Sequence, residues 1–374
     1  MSYSTFDAQR SMAFDDFRNQ LYAQAIRKLI TPETVVLDLG AGLGIHGLAA
    51  AGAKRVYLVE PEPVVNIAKD IARANGLADK IVILQGKIED IELPEKVDLI
   101  ISVFAGNLLF SEDLLPSLFH ARDRYLKPGG QLIPDLAELV LAPVCVPELH
   151  AKHIGCWSEP NMGLDFSPAR RFAANELLWP RREEARPELL SPGATVAALD
   201  LYTATRADCN GSATCRIETA ATCHGLMGWI KFKLGDTWLS TGPLDPEVHW
   251  SPALLPLDPP LSLQAGEEIE YGLQRPAYGD WTWTIKTTSG TRRHSSFLGR
   301  LDGLQRLRKI APDNCPGLSQ KGEDTLRILE MMRHGFSNQQ IAQKLTETEP
   351  SQDRSLEKAL QQVQNLALRY AKAG

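Results

Sequence analysis

Residues 35–44, VVLDLGAGLG, decide the fold: an apolar, strand-like run ends in three closely spaced glycines, Gly40, Gly42 and Gly44. A second apolar run, VYLVE at 56–60, ends in Glu60, twenty residues after Gly40. Glycines at a strand-to-helix turn let the backbone approach a ligand closely, and an acid after the next strand can accept hydrogen bonds from ribose hydroxyls. Together the two features predict a nucleotide-derived cofactor at this turn, with a purely structural glycine turn as the alternative.

Strand-like and helix-like stretches alternate from 31 to 143. The apolar runs are VVLDL, VYLVE, IVILQ, VDLIISV and GQLIPD, and helical stretches such as 62–75 and 112–126 separate them. Such alternation is typical of βαβ units on a parallel sheet. The sequence therefore predicts an α/β fold, with a Rossmann-like cofactor domain at 31–143 preceded by N-terminal helices at 1–30.

The character of the chain changes after Pro143. Short Thr-, Val- and Trp-rich runs over 186–300, split by Gly, Pro and Asp, predict antiparallel strands of a barrel or a sandwich. We expect a β-barrel substrate domain over 144–310. A Pro- and Trp-rich excursion within it predicts an arm near 150–172. Residues 318–374 carry two apolar stripes at helical spacing, one from Leu326 to Met332 and one from Leu356 to Tyr370, and predict a small helical domain.

Composition limits the function classes. The chain has 374 residues, 44% hydrophobic residues and a net charge of -6, which argues against a general nucleic-acid binder or a polybasic membrane module. No apolar run approaches the length of a membrane span, and the start has no secretory pattern. Six cysteines without a CxxC pair are typical of reduced thiols, so a cytoplasmic protein is expected. The spacing of Cys209, Cys215, Cys223 and His224 fits no common zinc pattern, so no metal is predicted.

Asp38 helps to choose among cofactors. It lies inside the first strand, two residues before the glycine turn, and the third glycine comes one residue earlier than in GxGxxG. A carboxylate there suits a cationic ligand better than a diphosphate, and S-adenosylmethionine carries a sulfonium and an ammonium group. The residues favour S-adenosylmethionine, with a nicotinamide cofactor as the open alternative.

At this point the sequence resembles the protein arginine methyltransferases over about residues 3–300. The resemblance rests on six blocks in the family's order: VLDLGAGLGI, VYLVEPE, GKIEDIELPEKVDLIIS, ARDRYLKPGGQLIPD, LSTGPLDPEVHW and QAGEEIEYGL. It implies an S-adenosylmethionine-dependent N-methyltransferase that releases S-adenosylhomocysteine. It also implies a peptide or protein substrate, and a homodimer formed through the 150–172 arm with Trp157.

The resemblance assigns roles to individual residues. Met12, Asp15 and Arg18 match the spacing of the family's N-terminal helix, so Arg18 should hold the cofactor's carboxylate. His249 should pair with Asp15 in catalysis, although Val248 replaces the family's Thr. The resemblance implies that the cofactor is contacted by Met12, Phe6, Asp38, Gly40, Gly42, Gly44, Glu60 at the ribose and Glu89 at the adenine. It implies that the substrate is contacted by Tyr3, Val103, Asn107 and Trp250.

The loop after VDLIIS contains the largest departure from the family pattern. The family grips a substrate guanidinium with two glutamates; here Val103 stands at the first position and Glu112 at the second. One carboxylate offsets only half of the combined charge of a guanidinium and a neighbouring sulfonium. The sequence therefore favours a neutral Asn or Gln carboxamide, with Glu112 or the His249–Asp15 pair as base. Arginine stays open if Asp113 moves into the gap, as does an inactive scaffold.

HGFSNQQIAQKL, residues 334–345, is similar to part of a helix-turn-helix. A DNA-binding regulator is therefore a rival function. Bases and acids are balanced over 313–374, whereas phosphate binding needs a basic face. This balance argues against nucleic acid and favours a bundle that docks on the core or captures a peptide leader.

Overall fold

The computed structural model describes residues 5–104, 106–181, 184, 187–300, 327–329, 331–332, 336–348 and 355–370. Its first part is a parallel sheet of order β3-β2-β1-β4-β5. The strands are β1 Val35–Leu39, β2 Arg55–Glu60, β3 Ile81–Gln85, β4 Val97–Ser102 and β5 Leu126–Ile133. The helices are α1 Phe6–Ala13, α2 Asp16–Leu29, α3 Ile45–Ala49, α4 Val65–Ala74 and α5 Leu115–Tyr125. The predicted Rossmann-like sheet is confirmed.

The strand order places the cofactor turn at the middle of this sheet. Strand β1 is buried along its whole length, which its unbroken apolar run predicts. The chain leaves β1 toward β2 and β3 on one side and returns to β4 and β5 on the other. Ligands of open α/β sheets bind where the order reverses, at the carboxyl ends of the strands. The loops after β1, β2 and β4 meet at this point.

The second part is antiparallel, as predicted. Within the described residues its strands form a six-stranded and a four-stranded sheet. They are β6 Leu136–Cys145, β7 Glu188–Leu189, β8 Ala194–Asp200, β9 Cys209–Arg216, β10 Ala221–Leu234, β11 Thr237–Ser240, β12 Ala253–Leu263, β13 Glu268–Arg275, β14 Thr282–Thr287 and β15 Gly290–Ser295. Trp283 in β14 donates a hydrogen bond to Pro256 O in β12 at 2.7 Å, which joins the two sheets through the core.

The predicted boundary at residue 143 is wrong. Strand β6 pairs antiparallel with β8 and β10, so it belongs to the second part, and the boundary lies between β5 and β6. A run of apolar residues predicts a buried strand but carries no information on which sheet the strand joins. Length and alternation alone therefore placed β6 with the parallel sheet.

The predicted arm is an irregular helical excursion between β6 and β7. It contains α6 Pro147–His153 and α7 Arg170–Ala173, with short 3-10 turns between them. Met162 is 95% exposed and Leu164 is 61% exposed, and Phe166 is also exposed. A short helix, α8 Ser296–Gly299, follows β15.

The C-terminal helices are α9 Asn338–Thr348 and α10 Leu356–Tyr370. Ser337 and Gln340 cap α9 reciprocally, because each backbone N–H donates to the other's side chain, at 2.9 and 3.3 Å. Ile341, Leu345 and Val363 are buried in a small apolar cluster of this part of the chain. The helical prediction is confirmed; Leu326 and much of the predicted turn lie outside the described residues, and DNA binding stays a prediction. In the part of the chain that the structure describes, no helix has the length and apolar character needed to cross a membrane.

Candidate active site

A cleft of about 400 Å³ opens at the carboxyl ends of β1, β2 and β4, between α1 and the antiparallel part. It brings together residues that the sequence analysis assigned to the cofactor, to the substrate and to catalysis. Those that line it are Met12, Arg18, Gly40, Gly42, Glu60, Val103, Glu112, His249 and Trp250.

Glu60 fixes the glycine turn from the end of β2. Its two carboxylate oxygens accept hydrogen bonds from the backbone N–H groups of Gly42 and Glu62, each at 3.0 Å. Gly40 has a φ of +75°, and a Cβ there would collide with the Phe104 ring from the loop after β4. Burial raises the pKa of Glu60, although both backbone hydrogen bonds oppose the shift. Only glycine allows this close approach of the turn and the loop.

Arg18, on the first turn of α2, is 3% exposed and lines the cleft. Its guanidinium donates to Met12 O at 2.7 Å and to the Asn19 side chain at 2.8 Å. It also lies over the Trp250 ring, 5.3 Å from the ring centre. A cation fixed in this way can bind a carboxylate with little further ordering.

The predicted Asp15–His249 contact is present. The Asp15 carboxylate lies 2.8 Å from His249 Nδ1 and accepts a second hydrogen bond, also 2.8 Å, from the His249 backbone N–H. Burial alone would raise the pKa of Asp15, but the hydrogen bonds from His249 outweigh it and the pKa is lowered. Burial lowers the pKa of His249, against the hydrogen bond to Asp15. The pair is therefore an ionised carboxylate and a neutral imidazole that donates from Nδ1.

The loop after β4 carries Glu112 into the cleft. Glu112 Oε1 accepts a hydrogen bond from Asn107 Nδ2 at 2.8 Å. A Cβ on Gly106 would lie 2.9 Å from Trp250 Nε1 and 3.3 Å from Glu112 Oε2, so the loop backbone lies against both side chains. Asn107, Leu108 and Asp113 all have positive φ values. Such strained backbone needs its surroundings to hold it.

Asp113, next to Glu112, is held away from the gap at Val103. Its two oxygens accept hydrogen bonds from both terminal nitrogens of Arg275 at 2.7 Å, and one also accepts from Tyr278 N–H at 3.0 Å. Arg275 is 4% exposed. An acid bound in this way is poorly placed to replace the missing glutamate.

Several predicted residues do not line the cleft. Asp38 and Gly44 lie beneath the turn, where the Asp38 carboxylate accepts from Gly47 N–H at 2.7 Å and burial raises its pKa to about 7. Phe6 is 65% exposed on α1. Glu89 accepts a hydrogen bond from Ser117 Oγ. Tyr3 lies outside the described residues, and the ligand roles of this group stay predictions.

Sequence reasoning missed Gln9 and His46, which both line the cleft. Gln9 lies three residues before Met12 on α1, hence on the same helix face, and this spacing could have indicated it. His46 lies directly after the glycine turn, where a lone histidine gives no pattern. Glu62, two residues after Glu60, also lines the cleft.

Comparison with known proteins agrees with these features. The family described as "Methyltransferase domain" matches residues 36–130, and the "Arginine methyltransferase oligomerization subdomain" matches residues 135–278. Protein arginine N-methyltransferase 1 of Schizosaccharomyces pombe is 33% identical over 291 residues, covering 75% of this chain and 85% of the relative. Protein arginine N-methyltransferase 6 of Xenopus laevis is 33% identical over 285 residues, covering 71% and 83%.

A solved structure shares the fold over most of its length. The Trypanosoma brucei PRMT1 enzyme–prozyme heterotetrameric complex with AdoHcy superimposes with a TM-score of 0.70 and 27% identity, covering 79% of this chain and 99% of that one. The boundary between the two matched families, at residues 130–135, coincides with the boundary between β5 and β6. On these matches in sequence and fold, the chain belongs to the protein arginine N-methyltransferase family.

Proposed function

We propose that the cleft binds S-adenosylmethionine and that the enzyme methylates a side-chain nitrogen of a protein or peptide. One observation carries the proposal: a single cleft joins the glycine turn, Glu60 and Arg18 to the Glu112 loop. S-Adenosylmethionine, when bound, supplies a methyl group on a positively charged sulfonium. The protein's part is to hold the acceptor nitrogen in line and to keep water away.

The residues present fit this cofactor. Gly40 and Gly42 of the glycine turn line the cleft with backbone alone, and Glu60 can share hydrogen bonds with a ribose. Arg18, at the other side, offers a buried cation for the carboxylate of the amino-acid end. Met12 and Gln9 cover the cleft from α1.

Arginine is the acceptor that the relatives' names support. Glu112 can accept charge-assisted hydrogen bonds from a guanidinium, which are roughly twice as strong as neutral ones. Asn107 Nδ2 donates a hydrogen bond to Glu112 Oε1. The hydrogen bond fixes one oxygen of the carboxylate, and thereby the direction in which Glu112 can grip a substrate.

A neutral Asn or Gln carboxamide is the second candidate, and Val103 favours it. A guanidinium, with a pKa of about 12.5–13.8, enters the cleft charged. Beside another unit charge at about 4 Å, with an effective dielectric near 20, the repulsion is about 4 kcal/mol. Glu112 offsets part of this cost, but Val103 cannot, and Asp113 is bound to Arg275.

Methyl transfer to an amide nitrogen needs a base that takes the N–H proton. A guanidinium that gains the methyl group would carry two positive charges, so it releases one proton readily and leaves as a methylated guanidinium. His249 is placed for this role on the cleft wall: it is neutral, and Asp15 fixes its ring from Nδ1. Its Nε2 lies 3.4 Å from Arg18 Nη1. Any proton that it takes therefore meets a nearby positive charge, which makes His249 a weak base unless Arg18 is neutralised by a bound carboxylate.

Three matched peptides that differ only in one central Arg, Asn or Gln separate the candidates. Purified enzyme is supplied with methyl-labelled S-adenosylmethionine, and the labelled residue is identified by tandem mass spectrometry. Label on arginine supports the first candidate, and label on Asn or Gln alone supports the second. No label on any peptide or on a proteome extract, from an enzyme that binds S-adenosylhomocysteine, would contradict the proposed transfer.

We further propose that the chain forms a homodimer through the arm, residues 147–173. The arm lies within the match to the oligomerization subdomain and exposes Met162, Leu164 and Phe166 together. Exposed apolar patches of this kind mark interaction surfaces.

A further inference from the structure

His46 is a buried histidine on the wall of the cleft whose role the family pattern does not assign. It lies on α3, two residues after Gly44, and is 7% exposed. Its ring stacks on Tyr22 with the ring centres 4.5 Å apart. Tyr22 is itself fixed, because its hydroxyl donates to Ser102 O at 3.2 Å. The imidazole is thus held in one orientation by packing.

His46 Nε2 has no hydrogen-bond partner among the described residues. Leaving a buried polar nitrogen unsatisfied is costly, so such an atom beside a cleft points to a ligand. Burial holds the pKa of His46 well below its usual value, and the positive charge of Arg18 lowers it further. The ring is therefore neutral, with one nitrogen that donates and one that accepts.

The charges around His46 select what it can bind. Arg18, His249 and Asp15 are the charged or titratable groups that act on it most strongly. Asp15 lies 3.9 Å from Arg18 Nε and offsets part of its charge, but both Asp15 oxygens already accept hydrogen bonds, from His249 and from the Arg18 backbone N–H. Arg18 is therefore the charged group that lines this end of the cleft and can bind a ligand. An ammonium group would be repelled there, and a carboxylate would be attracted.

We propose that His46 Nε2–H donates a hydrogen bond to the carboxylate of the cofactor's amino-acid end, which it shares with Arg18. This inference rests on the proposed function, since it names a ligand atom of the same cofactor. His46 is a binding residue here: it fixes the carboxylate and thereby the position of the sulfur along the cleft.

Two ligands that differ at the carboxylate end test the proposal. S-Adenosylhomocysteine has the amino-acid end, and 5′-methylthioadenosine lacks it. Calorimetry gives both dissociation constants for the wild type, for His46→Phe, which keeps the ring stack on Tyr22, and for His46→Leu. Thermal unfolding without ligand selects the variants that fold.

The wild type should prefer S-adenosylhomocysteine, and the preference should fall about 10- to 100-fold in whichever variant folds, as expected for loss of a hydrogen bond to a charged group. Affinity for 5′-methylthioadenosine should stay within about twofold. His46→Gln, which keeps a donor, should recover part of the preference. A preference unchanged within threefold, or an equal loss of affinity for both ligands, would overturn the role of His46. A wild type that binds neither ligand would instead overturn the proposed function.

Discussion

Val103→Glu restores an acid at the position where the family has its first glutamate, and it tests whether charge at this point sets the choice of acceptor. Val103 and Glu112 line the same cleft. A new carboxylate about 4 Å from a bound guanidinium, at an effective dielectric near 20, gains about 4 kcal/mol. Desolvation of the half-buried acid takes back about 1–2 kcal/mol.

The net gain of roughly 2–3 kcal/mol corresponds to about a 30- to 160-fold rise in kcat/KM for an arginine peptide. A neutral Asn or Gln peptide gains nothing from the new charge and should be methylated more slowly. Val103→Gln is the matched control, because it has nearly the same volume as glutamate without the charge. The assay measures kcat/KM of all three enzymes on the Arg, Asn and Gln peptides.

If charge at residue 103 sets the choice of acceptor, Val103→Glu raises the ratio of arginine to carboxamide turnover well above that of Val103→Gln. Equal ratios in the two variants would refute it, since charge would then not decide the acceptor. Equal affinity of all three enzymes for S-adenosylhomocysteine confirms that the change is confined to the acceptor side.

Three further outcomes are expected. Burial raises the pKa of Asp38 from 3.8 to about 7, so its stabilising contribution is complete below pH 3.8 and is lost as the pH rises through 7. The free energy of unfolding, measured by urea unfolding without cofactor, should fall by roughly 4 kcal/mol across this range. Asp38→Asn should remove this dependence on pH. Arg275→Met removes both hydrogen bonds that fix Asp113 in the strained loop carrying Glu112, so Glu112 should lose its fixed position and kcat should fall at least tenfold with little change in S-adenosylhomocysteine affinity. The control Arg170→Met, which breaks a similar bidentate pair at the arm, should reduce thermal stability but not kcat. Leu164→Glu on the arm should convert the proposed homodimer to a monomer in light scattering, and a variant that is as dimeric as the wild type would contradict the proposed interface.

The features that could be predicted from the sequence are those encoded locally. Strand β1, the glycine turn and Glu60 follow one another within 26 residues, so the apolar runs and the spacing of the glycines and the acid are sufficient to predict them. The Asp15–His249 contact spans 234 residues and was expected only because the family resemblance supplied it. Periodicity alone could not have paired these two residues.

The features that could not be predicted depend on tertiary contacts without a local pattern. The Asp113–Arg275 pair joins residues 162 positions apart, and this pair closes the route by which Asp113 could have replaced the missing acid. The boundary at β6 was misplaced because its apolar run fits either sheet. His46 was missed because a lone histidine after a glycine turn predicts neither burial nor a ligand.

The central claim is that Glu112 grips the acceptor nitrogen, and Glu112→Gln tests it most directly. Glutamine can still accept the hydrogen bond from Asn107, so the variant removes the charge and keeps the contact. On a peptide that the wild type labels, transfer from methyl-labelled S-adenosylmethionine should fall about 10- to 150-fold, the range for a hydrogen bond to a charged group. Affinity for S-adenosylhomocysteine should stay within about twofold of the wild type. Label transfer at the wild-type rate by Glu112→Gln would contradict the account.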